Sequence, residues 1–185
     1  MTKNIFLIGY RCTGKTSLGQ AISEKIGWKF VDADALLMKN CGKTVTDIVA
    51  QGGWSLFRKL EKDTLEIICR NRHQVVATGG GVVTDDENIE LMKQSGVVVW
   101  LRATPDIILQ RMIQDPHTDD LRPTLTDHEL RIEIEDTLKE RIPRYRIAMN
   151  VDVDTEGKTL PQISSEVLSA LARFGCIDMS PGKLL

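Results

Sequence analysis

The sequence predicts an α/β fold built on a parallel sheet. Three observations point there. Five short apolar runs rich in β-branched residues, at 5–8, 30–31, 75–77, 97–101 and 151–153, have the composition of buried parallel strands. Amphipathic stretches with helical spacing separate them. A glycine-rich segment, GYRCTGKT from Gly9 to Thr16, follows the first run directly. At 185 residues the chain suits one domain with a sizeable core. We expect that domain over 1–174, with a lid at about 115–127 and a tail over 175–185.

The first run leads into GxxxxGK[ST], the P-loop pattern. Phosphate oxygens need donors converging from one side. A tight loop after a strand supplies backbone N–H groups, and the following helix adds its positive dipole end. A helix is expected over 16–26, where Leu18, Ile22 and Ile26 repeat every fourth residue. Lys15 is placed to reach the β- and γ-phosphates of ATP, and the Thr16 hydroxyl to meet Mg²⁺. Arg11, Cys12, Thr13, Gly14 and Ser17 complete the expected ATP cradle.

The second run ends in FVDAD. Asp32 and Asp34 are expected together at the C-terminal edge of the strand, where open α/β sheets carry ligands. One carboxylate would serve Mg²⁺ and the other an acceptor hydroxyl. A plainer role for Asp34 is to cap a helix over 35–40. Next, Phe57, Leu60, Thr64 and Ile68 mark a helix carrying Arg58 and Glu61 one turn apart. Such pairs are commonly solvated and contribute little. After the third run stand three consecutive glycines, Gly79, Gly80 and Gly81, which point to something approaching the backbone closely.

Beyond the fourth run, residues 115–127 read DPHTDDLRPTLTD, polar and without periodicity. A loop of that length in a compact domain is commonly functional. Pro143 predicts a kink or boundary in the next helix. Ile163, Val167, Leu168 and Leu171 mark a final helix, and the residues after Phe174 read as a loose end.

Composition excludes several classes. A net charge of −2 gives no broad cationic field for nucleic acid. The apolar run at 5–8 is too short for a leader or a membrane span. Cys12, Cys41, Cys69 and Cys176 form no CxxC pair and are not grouped with His73, His117 or His128, so free thiols in a reducing cytoplasm are expected.

Taken in order and spacing, GYRCTGKT, FVDAD, FRKLE, ATGGG, LRP and ERIPRYR resemble the shikimate kinase family over about residues 4–173. The resemblance implies a three-layer P-loop kinase fold like that of nucleoside monophosphate kinases. Its five-stranded parallel sheet would have the order 2-3-1-4-5. It implies transfer of the ATP γ-phosphoryl group to the 3-hydroxyl of shikimate, in aromatic amino acid biosynthesis. Asp34 matches the carboxylate on the acceptor hydroxyls, Arg58 and Arg141 the arginines on the acceptor carboxylate, and glycines 79–81 those against the ring. Asp32 matches the acid near Mg²⁺, Arg122 the lid arginine, and Arg111 the arginine beside adenine, with 154–155 closing over the base. Lys15, Asp34 and Arg122 would carry the reaction. The expected partners are ATP, ADP and shikimate, without nucleic acid or membrane, acting on a monomer. Family members often carry glycine where this chain has Cys12, whose side chain must leave the loop or crowd it; an inert thiol is expected there rather than a redox-sensitive one. Two alternatives stay open: a gluconate kinase of the same fold, and a nucleotide-dependent switch. An NKxD guanine-reading motif is missing from the sequence.

Overall fold

The computed structural model describes residues 4–114 and 127–177. Five strands form one sheet: β1 Asn4–Ile8, β2 Lys29–Asp32, β3 Gln74–Ala77, β4 Gly96–Arg102 and β5 Val151–Asp154. All neighbours pair in parallel in the order β2-β3-β1-β4-β5, as the resemblance implied. Every β1 residue is buried, which places β1 at the centre and the loop after it at the middle of the sheet's C-terminal edge.

Seven helices cover the two faces among the described residues. They are α1 Lys15–Ile26, α2 Ala33–Cys41, α3 Val45–Cys69, α4 Asp86–Ser95, α5 Pro105–Gln114, α6 Asp127–Ala148 and α7 Leu160–Arg173. Alternation along β1 divides the core between them. Ile5 and Leu7 face Leu18 and Ile22 of α1 and Val167 and Leu171 of α7. Phe6 and Ile8 face Leu65 and Ile68 of α3, Ile89 and Met92 of α4, and Tyr145 and Ala148 of α6.

Three expectations change. Asp34 does not extend β2. The helix begins at Ala33, and the cap is Asp32, whose Oδ1 accepts from the Ala35 N–H at 3.1 Å. A carboxylate at the strand end satisfies an otherwise unpaired N–H of the first turn, so the helix starts two residues earlier than the sequence suggests. Pro143 neither ends nor divides α6. Proline in a helix interior costs about 3 kcal/mol, but Tyr145 and Ala148, just beyond it, are fully buried against the sheet and hold the helix in place. Past Phe174 the chain turns back, with Cys176 N–H donating to Leu171 O at 3.1 Å and its side chain joining the α1–α7 core.

The long α3 contains one break, at Gly53, with φ 68° and ψ −175°. That conformation lies outside the range most side chains accept. The segment after it carries Trp54, Phe57, Arg58 and Glu61. Among the described residues no helix is long and apolar enough to cross a membrane.

Candidate active site

The loop between β1 and α1 is shaped for close approach. Gly9 has φ 141°, and a Cβ there would stand 2.5 Å from Leu101 O. The Thr13 hydroxyl donates to Tyr10 O at 2.8 Å and closes the turn. Gly14, with φ 90°, precedes α1 without any side-chain cap, leaving the first N–H groups of the helix for an incoming anion. Cys12 adopts a left-handed φ of 59°, the conformation the family's glycine would take freely. Its side chain leaves the loop to pack against the Tyr10, Ile108 and Met112 cluster.

Lys15 lies across this loop, its Nζ donating to Gly9 O at 2.9 Å and Tyr10 O at 2.7 Å. Burial pushes its amine down to about 8, although the charges of Asp34, Cys12 and Asp32 oppose the shift. The amine therefore rests on neutral carbonyls within the field of nearby carboxylates, as a group does whose main counter-charge arrives with a ligand.

The acids stand opposite. Thr16 Oγ1 donates to Asp32 Oδ2 at 3.2 Å. Asp34, on the first turn of α2, has its carboxyl raised by burial and then by the Asp32 charge, while Lys15 and Arg58 pull it back. Glu61 is only 5% exposed and ion-paired to Arg58 Nη1 at 2.5 Å. The solvated pair that spacing alone suggests is thus half sunk into the core. Burial raises the Glu61 carboxyl, with Arg58 opposing. The guanidinium of Arg58 also lies 5.1 Å from the Phe57 ring centre and 5.7 Å from that of Trp54.

The glycines complete this side of the site. A Cβ at Gly79 would stand 2.8 Å from Glu61 Oε1 and 2.9 Å from Asp34 Oδ1. At Gly81 it would stand 2.6 Å from Arg58 Cζ. From α6, Arg141 lies close enough for its charge to act on Lys15 and Glu61, and its buried Nε has no partner among the described residues. Lys15, Asp32, Asp34, Arg58, Arg141 and glycines 79–81 therefore share one site at the C-terminal edge of β1, β2 and β3.

Arg111 binds Cys12 O at 3.3 Å, Thr155 Oγ1 at 3.1 Å and Thr155 O at 3.1 Å. It closes one side of a cavity of about 190 Å³ that Thr13, Gly14, Ser17 and Thr155 also line. A larger cleft of about 570 Å³ lies between α5, α6 and the β4–β5 edge. Of the expected site residues only Thr13 and Asp154 line it, so converging chemistry and not size identifies the site. Arg11 turns away from the small cavity, toward Glu133 at 3.6 Å and over the Tyr10 ring. Arg122 and most of the expected lid lie outside the described residues.

One contributor was not foreseen. Tyr145 is fully buried, and its hydroxyl donates to Gly80 O at 2.6 Å. The available signal was its spacing of four from Arg141, which puts both side chains on one helix face.

Comparison with known proteins agrees with this geometry. The family model described as shikimate kinase matches residues 11–172. A shikimate kinase of Syntrophus aciditrophicus is 37% identical over 90% of this chain and 89% of its own length. A solved shikimate kinase from Acinetobacter baumannii, in complex with shikimate, superposes with a TM-score of 0.85 at 30% identity, covering 94% of this chain and 95% of that one. A gluconokinase from Sinorhizobium meliloti, with a TM-score of 0.58 at 23% identity over 93% of each chain, shares the fold alone. With a P-loop facing paired acids, an arginine locked to a buried glutamate and a glycine wall between them, the chain belongs to the shikimate kinase family.

Proposed function

We propose that the chain transfers the γ-phosphoryl group of ATP to the 3-hydroxyl of shikimate, giving shikimate 3-phosphate and ADP. The observation that carries this is the pairing of two unlike cradles across one short gap. One is the uncapped helix end with Lys15, suited to a polyphosphate. The other sets Arg58 and Arg141 beside Asp34 and bare glycine backbone. Planar guanidinium groups suit a carboxylate, and Asp34 suits vicinal hydroxyls. Family membership and the shikimate held by the Acinetobacter relative support the same acceptor.

Each residue then has a part. Backbone N–H groups of 11–17 and Lys15 hold the phosphates, and Thr155 and Arg111 border the base cavity. Arg58, fixed by Glu61, and Arg141 hold the acceptor carboxylate. Asp34 receives the proton of the 3-hydroxyl as its oxygen bonds to the γ-phosphorus and the bridging oxygen leaves with ADP. Burial, which raises the Asp34 carboxyl, strengthens it as a base. From the lid, Arg122 would meet the charge on the transferred group and exclude water on closure.

The residues fit Mg²⁺. Magnesium takes few protein ligands, all oxygen, and keeps waters and phosphate oxygens for the rest. The Thr16 hydroxyl, already 3.2 Å from Asp32 Oδ2, and the Asp32 carboxylate form such a set. When bound, the ion would neutralise charge on the β- and γ-phosphates. The chain is further read as a cytoplasmic monomer acting on small molecules, consistent with a net charge of −2 and four cysteines that form no disulfide.

The test is ADP release from ATP and Mg²⁺ with shikimate or gluconate. Release driven by shikimate far above the basal rate is expected, with Asp34→Asn losing about 10²-fold or more of it. Release driven by gluconate alone would overturn the acceptor assignment.

A further inference from the structure

We propose that Tyr145 is a positioning residue for the phosphate acceptor, fixing the glycine wall beside Arg141 through a single buried hydroxyl. The inference rests on the acceptor lying against glycines 79–81 and Arg141.

Helix α6 reaches the segment after β3 at two points. Arg144 donates from Nε to Val83 O at 2.9 Å, from Nη2 to Thr84 O at 2.9 Å and from Nη1 to Asp86 Oδ1 at 3.0 Å. Tyr145 donates to Gly80 O at 2.6 Å. The first contact secures the stretch beyond the glycines, and the second secures the glycines themselves.

The Tyr145 ring is fully buried and stacks on Trp100, with centroids 5.6 Å apart and planes 21° apart. Phenylalanine would fill that space equally well. A buried hydroxyl is costly unless bonded, so its presence marks a use for its bonds. A phenol can donate once and accept as well. Here the donated bond goes to Gly80 O, and Arg141, one turn earlier on the same helix face, lies close enough for its charge to act on the phenol. Burial holds the phenol far above its ordinary range, so it remains a donor through the whole working pH range. Arg141 stands beside this bond, and its buried Nε has no partner among the described residues.

The frame extends to the phosphate side. A Cβ at Gly80 would lie 3.5 Å from both Gly9 O and Arg11 N of the P-loop. Moving Gly80 therefore changes where the acceptor sits relative to the nucleotide. Tyr145 thus sets one edge of the acceptor pocket without touching the acceptor.

The experiment is steady-state kinetics with ATP and shikimate varied in turn, alongside thermal melting. Tyr145→Phe should raise the KM for shikimate about five- to tenfold, the range of one lost hydrogen bond in a buried network. The KM for ATP should change less than about twofold, because the P-loop contacts remain. Arg144→Gln, which loosens the neighbouring contact, should lower the melting temperature and leave the shikimate KM within about twofold. In an Arg141→Ala background, Tyr145→Phe should still raise the shikimate KM, because the bond to Gly80 is lost whichever side chain stands at 141. A Tyr145→Phe enzyme that melts lower but keeps its shikimate KM overturns the proposal, as do equal KM rises for Tyr145→Phe and Arg144→Gln. An Arg141→Ala enzyme with unchanged shikimate KM instead overturns the acceptor assignment itself, and with it this inference.

Discussion

Nucleotide binding should draw a proton onto Lys15, and the amount can be worked out. In the nucleotide-free protein burial lowers the amine to about 8 from an ordinary 10.5. A bound polyphosphate places several negative charges beside it and restores the charged form. The sign is then fixed: the free protein is the less protonated state, so binding takes up protons, and uptake grows as pH rises. With the free amine near 8, uptake should be about 0.1 proton at pH 7, about 0.5 at pH 8 and about 0.9 at pH 9. Calorimetry of ATP binding in buffers of different ionisation enthalpy reads this number directly. Lys15→Arg supplies the control, because a guanidinium is charged at every pH used and its residual binding should carry no uptake above pH 7. Wild-type protein that takes up no proton at pH 9 would refute the reasoning, since Lys15 would then be fully charged before the nucleotide arrives.

Other predictions follow from single contacts. Gly81→Ala places a methyl group 2.6 Å from Arg58 Cζ, so Arg58 must swing away from Glu61. The shikimate KM should rise about tenfold or more with the ATP KM unchanged, and an unchanged shikimate KM would separate Arg58 from the acceptor. Cys12→Gly removes a left-handed side chain costing about 1 kcal/mol but loosens the unfolded chain by a similar amount. Chemical denaturation should therefore show stability within about 1 kcal/mol of the parent, while a large loss would mean that thiol packing against Ile108 and Met112 dominates. Arg122→Ala should reduce turnover about 10³-fold, and near-normal turnover would remove the lid arginine from the mechanism.

The fold was legible because each strand is a compact apolar run and each helix face repeats every three to four residues. The P-loop was legible because its demands fall on consecutive residues. What was not legible depended on partners distant in sequence. Nothing near Glu61 announces that it is buried. Its environment comes from packing beside Asp34 and Gly79, 27 and 18 positions away. The exchange of roles between Asp32 and Asp34 turned on where one helix begins, and element boundaries respond to a single capping bond. Pro143 sets no boundary because propensity describes an isolated helix, whereas α6 is held by Tyr145 and Ala148 in the core.

The same site explains why several of its groups stand unsatisfied. Among the described residues seven buried side-chain atoms lack hydrogen-bond partners, and four of them belong to Arg11, Glu61 and Arg141. Such atoms weaken a protein unless something completes them. Arg141 Nε is buried without a partner among the described residues, and Lys15 meanwhile leans on two backbone carbonyls that cannot neutralise it. A fold selected for stability alone would pair these cations with the carboxylates beside them. Asp34 is instead raised by burial near Lys15, and Glu61 is tied to Arg58. The site thus keeps cationic capacity in reserve for two anions that arrive together, a polyphosphate and a small carboxylate. Binding either ligand should therefore stabilise the fold, and binding both should stabilise it more than either alone.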